Sequence, residues 1–370
     1  MFTTRPEIVG TFGVAASTHW LATQTAMGVL ERGGNAFDAA AAAGFVLQVV
    51  EPHLNGPGGE VPILLWSERL RAVEAVCGQG TAPAAATPAY FRGMGLDLVP
   101  GIGLLPATVP GAFGAWLRML RDHGSWPLAD VLAPAIGYAR EGFPLLPRAV
   151  QAILAVQPLF QDEWHSSAAL WLPGGRVPAP GALFTNRALA DTYTRVLEEA
   201  ARAGSDRERQ IDAALDTWYR GFVAREDGAF CRKERVRDTT GERHAGLLRY
   251  EDMAGWQAGV EAPVMLDVGR YTVAKCGPWS QGITLLQQLG MADAAALKVC
   301  APDSAEFVHR VAGAAKLAMA DPLAWLGGPK FAGVPSVSDS VAGTVPLTSP
   351  GKATTRCAVS IIGCTASERW

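Results

Sequence analysis

Apolar and polar positions alternate first at helical spacing. Leu21, Ala22, Ala26, Val29 and Leu30 recur on one face, which predicts an amphipathic helix. Ser17 or Thr18 stands where its start is capped, and Gly33-Gly34 stops it by permitting a left-handed turn. A second helix begins at Asn35, whose side chain accepts from free N–H groups, and Asp38 adds a favourable charge in its first turn. From Ala39 to Val50 only Gln48 is strongly polar, the pattern of a helix enclosed by protein. Pro52 ends it. The loop Asn55-Gly56-Pro57-Gly58-Gly59 follows, either a tight connection to a strand or one wall of an active site.

The rest of the chain alternates between the two periods. Ile8–Ala16 reads as a first strand, and Val61–Trp66 with Arg71–Cys77 as a hairpin. Val109-Pro110-Gly111-Ala112-Phe113 opens a helix that Asp122-His123-Gly124-Ser125 ends, and Leu128–Arg140 forms another, bent at Pro134. Residues 144–186, rich in Pro, Gly and Trp, read as irregular connections. Leu189–Ala201 and Ile211–Ala224 read as helices, and the charge-dense Arg225–Arg243 as a solvated surface loop. Ala262–Leu266 and Tyr271–Val273 read as strands, and Ile283–Met291 as a helix. Within Ser304–Trp325 a helix packs through Phe307, Val308, Val311, Ala315 and Ala318 until Pro322 interrupts it.

Composition narrows the function classes. The 370 residues are 49% hydrophobic and 18% charged, a globular balance. A net charge of -3 argues against nucleic-acid binding, which relies on a basic face. The longest apolar run, residues 39–50, falls short of the about 20 residues that span a bilayer, so no membrane contact is expected. No signal peptide precedes Ile8, which points to the cytoplasm. Cys77, Cys231, Cys276, Cys300, Cys357 and Cys364 contain no Cys-x-x-Cys pair and suit buried thiols in a reducing compartment. The six histidines lack metal-ligand spacing, and no metal or cofactor is expected.

Several blocks in order then carry a resemblance: Gly33-Gly34-Asn35-Ala36-Phe37-Asp38, Glu51-Pro52-His53 with Gly56-Pro57-Gly58-Gly59, and Gly78-Gln79-Gly80-Thr81-Ala82-Pro83. Ala139-Arg140-Glu141-Gly142-Phe143-Pro144, Tyr250-Glu251-Asp252-Met253 and Glu306-Phe307-Val308-His309-Arg310 continue it. This succession resembles the gamma-glutamyltransferase (gamma-glutamyltranspeptidase) family of N-terminal nucleophile hydrolases. The resemblance implies an α/β, four-layer αββα sandwich, incomplete here, with residues 1–330 as the large-subunit portion and 331–370 as a divergent tail. It implies a small-molecule amide or gamma-glutamyl substrate, and a small-subunit chain supplying the threonine nucleophile and oxyanion-binding glycines.

Three places bear on chemistry. The family places an arginine ahead of the Ala-Pro, where a guanidinium forks onto the alpha-carboxylate of a gamma-glutamyl donor. Gln79 occupies that place, as in a divergent branch that includes enzymes hydrolysing small amides such as oxamate. Gln79 is therefore the candidate substrate-binding residue, with a plain turn as the alternative. Ser280, in Gly277-Pro278-Trp279-Ser280-Gln281-Gly282, sits one residue too far along for a sharp nucleophile elbow. Thr354-Thr355-Arg356 superficially matches the family's Thr-Thr-His, but Arg356 replaces the histidine, and Thr354 is disfavoured as nucleophile. The chain is thus expected to stop short of the cleavage point. Departures at Gln79, Pro322 and Gly328 also suit a non-catalytic remnant.

Overall fold

The computed structural model describes residues 7–291, 297 and 299–325, with side chains as far as Ala320. In chain order the elements begin with α1 (Trp20–Glu31), α2 (Ala36–Val50), β1 (Val61–Ser67), β2 (Ala72–Gly78), α3 (Pro88–Gly93), α4 (Ala112–His123) and α5 (Leu128–Glu141). There follow β3 (Phe143–Pro144), α6 (Pro147–Asp162), α7 (His165–Trp171), β4 (Leu183–Phe184), α8 (Arg187–Ala201), α9 (Arg207–Tyr219) and α10 (Phe222–Lys233). The last are β5 (Val236–Arg237), β6 (Arg243–His244), α11 (Tyr250–Ala254), β7 (Gly259–Glu261), β8 (Val264–Val268), β9 (Tyr271–Lys275), α12 (Gly282–Met291) and α13 (Ala305–Trp325). They divide into two compact units, one from the residues up to Glu60 with Gly80–Gln257, the other from Val61–Gln79 with the residues from Ala258 on. The boundary expected at residue 330 lies outside the described residues.

The first unit is helical and built around α2. Asn35 caps it by accepting from Phe37 N–H and Asp38 N–H, and Asp38 returns a bond to Asn35 N–H, a reciprocal box that satisfies otherwise orphaned donors. Asp38 does more than complement the helix dipole. Fully buried, it also accepts from Ser125 N–H at 2.8 Å, Ser125 Oγ at 2.6 Å and Trp126 N–H at 3.0 Å, fixing the turn between α4 and α5. Phe45 packs edge-on against Phe113 and Tyr193, while Trp218 stacks on Phe113 with centroids 4.0 Å apart. Gln48 is buried as a hydrogen-bond acceptor for the Tyr193 hydroxyl at 2.6 Å, so a buried polar group is satisfied.

Local expectations fail here for identifiable reasons. The cap of α1 is His19, whose Nδ1 accepts from Leu21 N–H at 3.1 Å, rather than Ser17 or Thr18. Ile8–Ala16 forms no strand, and none of the described strands pairs with it. Residues 144–186 contain α6 and α7; Pro147 initiates α6 at a position where a missing N–H costs nothing, and Ala149, Val150 and Ile153 supply its buried face. Ile211–Ala224 is two helices, because the chain breaks at Arg220-Gly221, where a Cβ on Gly221 would lie 2.2 Å from Thr217 O. Part of the expected surface loop is α10, which buries Val223, Ala224, Gly228 and Cys231.

In the second unit β1 and β2 form the expected antiparallel hairpin, from Val61 opposite Gly78 to Ser67 opposite Ala72. β7 pairs with the other side of β2, giving the order β1-β2-β7. β8 and β9 make a separate ribbon, and α12 packs against both β8 and α13. The helix α13 departs from expectation twice. Its buried side chains are Ala314 and Ala318, whereas Val308 is 57% exposed and Val311 39% exposed. Its backbone also stays helical to Trp325, so Pro322 is carried within the last turn, as Pro134 and Pro158 are carried inside α5 and α6.

Candidate active site

Gln79 directly follows β2, half-buried, and its amide has no hydrogen-bond partner among the described residues. The residues after it are firmly held within the first unit. A Cβ on Gly80 would lie 1.5 Å from Val109 O, so glycine is required there by close backbone approach. Val109 N–H donates to Thr81 O at 3.0 Å, and Ala84 N–H donates to Asp252 Oδ1 at 2.8 Å. The other oxygen of Asp252 accepts from Arg249 N–H at 2.9 Å. The turn reading thus accounts for Gly80, Thr81 and Ala84. It leaves the Gln79 side chain unexplained, an uncharged donor and acceptor beside an anchored loop.

The glycine loop divides between the two readings left open for it. Gly59 O accepts from Gly111 N–H and Ala112 N–H, both at 3.0 Å, and so satisfies donors at the start of α4. That part is a packed connection. At Gly56 and Gly58 a Cβ would meet nothing within 4 Å, so this part borders open space.

Ahead of the loop in the chain stands a buried polar group that periodicity does not reveal. Glu51, 3% exposed, closes α2 and accepts from the Thr18 hydroxyl; its carbonyl accepts from Leu54 N–H and Asn55 N–H at 2.9 Å. His19 is 1% exposed. Because its Nδ1 accepts from Leu21 N–H, a neutral ring carries its proton on Nε2. That Nε2 and His53 Nδ1 are both buried without a partner. Burial pulls both histidines below their usual range against the opposing charge of Glu51, and Arg148 lowers His53 further. Both rings are therefore uncharged near neutral pH. The helix-ending Glu51-Pro52-His53 was the available signal, but Thr18 and His19 lie a whole helix pair away in sequence.

Ser280 is engaged in its own turn. Its hydroxyl lies 3.0 Å from Gly277 O and 3.3 Å from Cys276 O as donor, and accepts from Gly282 N–H at 3.2 Å, ahead of α12. Glu261 secures the same turn by accepting from Gly277 N–H at 3.1 Å and Trp279 Nε1 at 2.6 Å. Asp303 and His309, the acid and base that a serine hydrolase would require, are exposed and not bonded to it. Thr354 lies outside the described residues. Among the described residues no group of three or more His, Cys, Asp or Glu is placed to hold a metal ion, and no helix is long and apolar enough to cross a membrane.

Comparison with known proteins bears on the whole arrangement. The gamma-glutamyltranspeptidase family model matches residues 22–345. Among curated proteins the chain is 29% identical to the glutathione hydrolase-like YwrD proenzyme of Bacillus subtilis, over 89% of this chain and 58% of that protein. It is 31% identical to the oxamate amidohydrolase proenzyme of Klebsiella pneumoniae, over 84% of this chain and 54% of that protein. The chain therefore spans little more than half the length of these relatives. Of solved structures, LmbA2991HD matches with a TM-score of 0.85 and 51% identity, over 91% of this chain and 57% of that one. The gamma-glutamyltranspeptidase of Helicobacter pylori matches with a TM-score of 0.77 and 27% identity, over 90% of both chains. The mixed helix-and-sheet fold is that of the N-terminal nucleophile hydrolases, as expected from the sequence.

Proposed function

Because the chain belongs to the gamma-glutamyltranspeptidase family, we propose that it is the large-subunit portion of an amide-cleaving enzyme of that family. In this reading a small-subunit polypeptide supplies a threonine whose hydroxyl attacks the amide carbonyl, with the freed amine as its base. Paired N–H groups of that polypeptide hold the tetrahedral oxyanion. The coverage supports this: the chain accounts for just over half of relatives named as proenzymes, yet for nine-tenths of one chain of the Helicobacter pylori enzyme. Ser280, weighed as a nucleophile from the sequence, is bound within its turn.

The observation that carries the substrate class is the amide of Gln79 just after β2, which has no hydrogen-bond partner among the described residues. A gamma-glutamyl donor brings an alpha-carboxylate that calls for a cation, whereas a small amide is matched by the neutral donor and acceptor of a glutamine. The relative named for oxamate supports the small-amide reading. The test is co-expression with a small-subunit polypeptide and comparison of kcat/KM for oxamate and glutathione. Gln79→Arg should raise kcat/KM for glutathione by about 10- to 100-fold, the worth of a charge-assisted fork, and leave oxamate unchanged or worse. An unaltered preference would make Gln79 a turn residue. The 370-residue chain alone should neither hydrolyse gamma-glutamyl-p-nitroanilide nor cleave itself. Turnover abolished by Thr354→Ala would instead place the nucleophile in this chain.

A further inference from the structure

The loop that follows Gln79 is exposed from Thr81 to Ala85 except at Pro83, and yet its course is fixed at both ends. Gly80 lies against Val109 O, and Val109 N–H donates to Thr81 O. Further on, Ala86 N–H donates to Pro83 O at 2.9 Å, and Thr87 caps α3 by accepting from Tyr90 N–H at 3.1 Å. Pro83 has no N–H, so Ala84 carries the next donor, and it reaches Asp252 Oδ1 at 2.8 Å across 168 residues of sequence. The other oxygen, Oδ2, accepts from Arg249 N–H at 2.9 Å in the first turn of α11. Capping that helix takes one oxygen; the other is committed to the loop. Asp252 is also well placed to hold it. The Arg249 guanidinium donates to Gly246 O at 2.8 Å and Leu248 O at 2.9 Å, which pins the approach to α11. Leu247, in that approach, is buried with Leu105 and with Phe91 of α3, and Ala86 packs against them. An apolar cluster thus brings the two segments together, and a carboxylate joins them by a charge-assisted bond, roughly twice as strong as a neutral one.

We propose that Asp252 is a positioning residue for the substrate, acting through the loop that begins one peptide bond after Gln79. The proposal rests on the reading of Gln79 as the substrate-binding amide given above. With both oxygens engaged by N–H groups, the carboxylate acts at one remove from the substrate. It fixes the backbone a few residues past Gln79, so that the Gln79 amide is presented from one loop conformation rather than from several. A binding group ordered before the substrate arrives lowers the entropy cost of binding. In the two-chain reading the attacking hydroxyl belongs to another polypeptide, so loss of this anchor should raise KM more than it lowers kcat.

Hydrogen exchange on the 370-residue chain reads the anchor without a partner. Asp252→Ala should speed exchange of the Ala84, Ala86 and Val109 amides by about tenfold or more and leave Ala115 in α4 unchanged. Loop amides that exchange no faster overturn the anchor itself. Kinetics of the co-expressed complex read its consequence. Asp252→Ala should raise KM for oxamate by about tenfold, with kcat held within about twofold. Asp252→Asn keeps one acceptor oxygen and should recover part of that loss; it carries the same comparison if the alanine variant fails to fold. Combined with Gln79→Ala, Asp252→Ala should raise KM no further, because the anchor acts through that amide. An unmoved KM alongside a lowered melting temperature makes Asp252 a structural cap; it overturns the proposal and leaves the Gln79 reading standing. A rise in KM that persists in full on the Gln79→Ala background also overturns it. If Gln79→Ala itself leaves KM for oxamate and glutathione unchanged, the Gln79 reading falls, and the positioning role with it.

Discussion

The alanine-rich α2 and the long α13 are made from similar apolar residues and come to opposite environments. Eleven of the fifteen residues of α2 are buried, Phe45 and Val46 completely. On α13 the burial rests on Ala314 and Ala318, while Val308, Val311, Leu317 and Met319 stay between 39% and 57% exposed. Local propensity does not separate the two helices. The difference lies in whether their own unit supplies a facing layer: α1, α4 and α5 pack on α2, whereas the described neighbours of α13 cover one narrow stripe. The first unit closes its core; the described residues of the second keep apolar surface of the kind that marks interfaces.

The largest expected effect follows directly. Phe45→Ala removes a ring enclosed by Phe113 and Tyr193 and should cost about 3–5 kcal/mol in denaturant unfolding. Val308→Ala on α13 should stay within about 0.5 kcal/mol. Comparable losses would mean that α13 is covered after all. The same contrast predicts that the isolated chain self-associates in light scattering, and that Val308→Lys or Leu317→Lys lowers association without shifting the melting temperature. A sharp monomer from the unaltered chain would contradict it.

Next in size is Asp38→Ala. It removes the buried carboxylate that pairs the N–H groups of Ser125, Trp126 and Asn35, and should cost about 3 kcal/mol. No exposed carboxylate of the second unit should approach that figure.

The histidines of the first unit give a pH signature. Their folded pKa values lie below the unfolded 6.5, so the unfolded state binds more protons as pH falls. Their stabilising contribution is present above about 6.5 and is lost progressively below it. Asp227 works the other way: burial, helped by Glu226, raises its carboxyl to about 6, so folding gains stability as pH falls through that value. Asp227→Asn should therefore steepen the acid loss, and His53→Gln should flatten it, each read from unfolding midpoints between pH 7 and 5.

How far the sequence spoke depended on distance along the chain. Asn35 with Asp38, the turn at Gly33 with φ of +87°, and the hairpin β1–β2 are decided by neighbours within a few residues, and they were legible. Pro134 was legible inside its helix, but other prolines misled, because Pro147 starts a helix and Pro158 and Pro322 are carried within helices rather than ending them. The supposed strand Ile8–Ala16 needed a ladder partner that no local pattern can supply. In the site, Gln79 could be singled out only through the resemblance, since nothing in its own segment distinguishes a ligand-facing amide from a turn residue. Thr18 with Glu51, and Ala84 with Asp252, are contacts between segments 33 and 168 residues apart, and only folding brings them together.

The smallest expected effect compares two helix starts. Asn35 accepts from two N–H groups of α2 and also donates to His123 O at 2.9 Å, so it ties the helix to the turn after α4. Ser280 accepts a single N–H, that of Gly282, and its proton remains within the turn on Gly277 O. Asn35→Ala should then cost about 1–2 kcal/mol and Ser280→Ala about 0.5–1 kcal/mol, both as shifts in denaturant midpoint at constant slope. The serine variant also separates a structural from a chemical role. A turn residue leaves kcat/KM of the co-expressed complex nearly unchanged once the protein is folded, whereas a reacting hydroxyl cannot be removed without losing turnover. Loss of turnover in Ser280→Ala, with the unfolding curve barely moved, would return Ser280 to the active site and displace the threonine supplied by the partner chain.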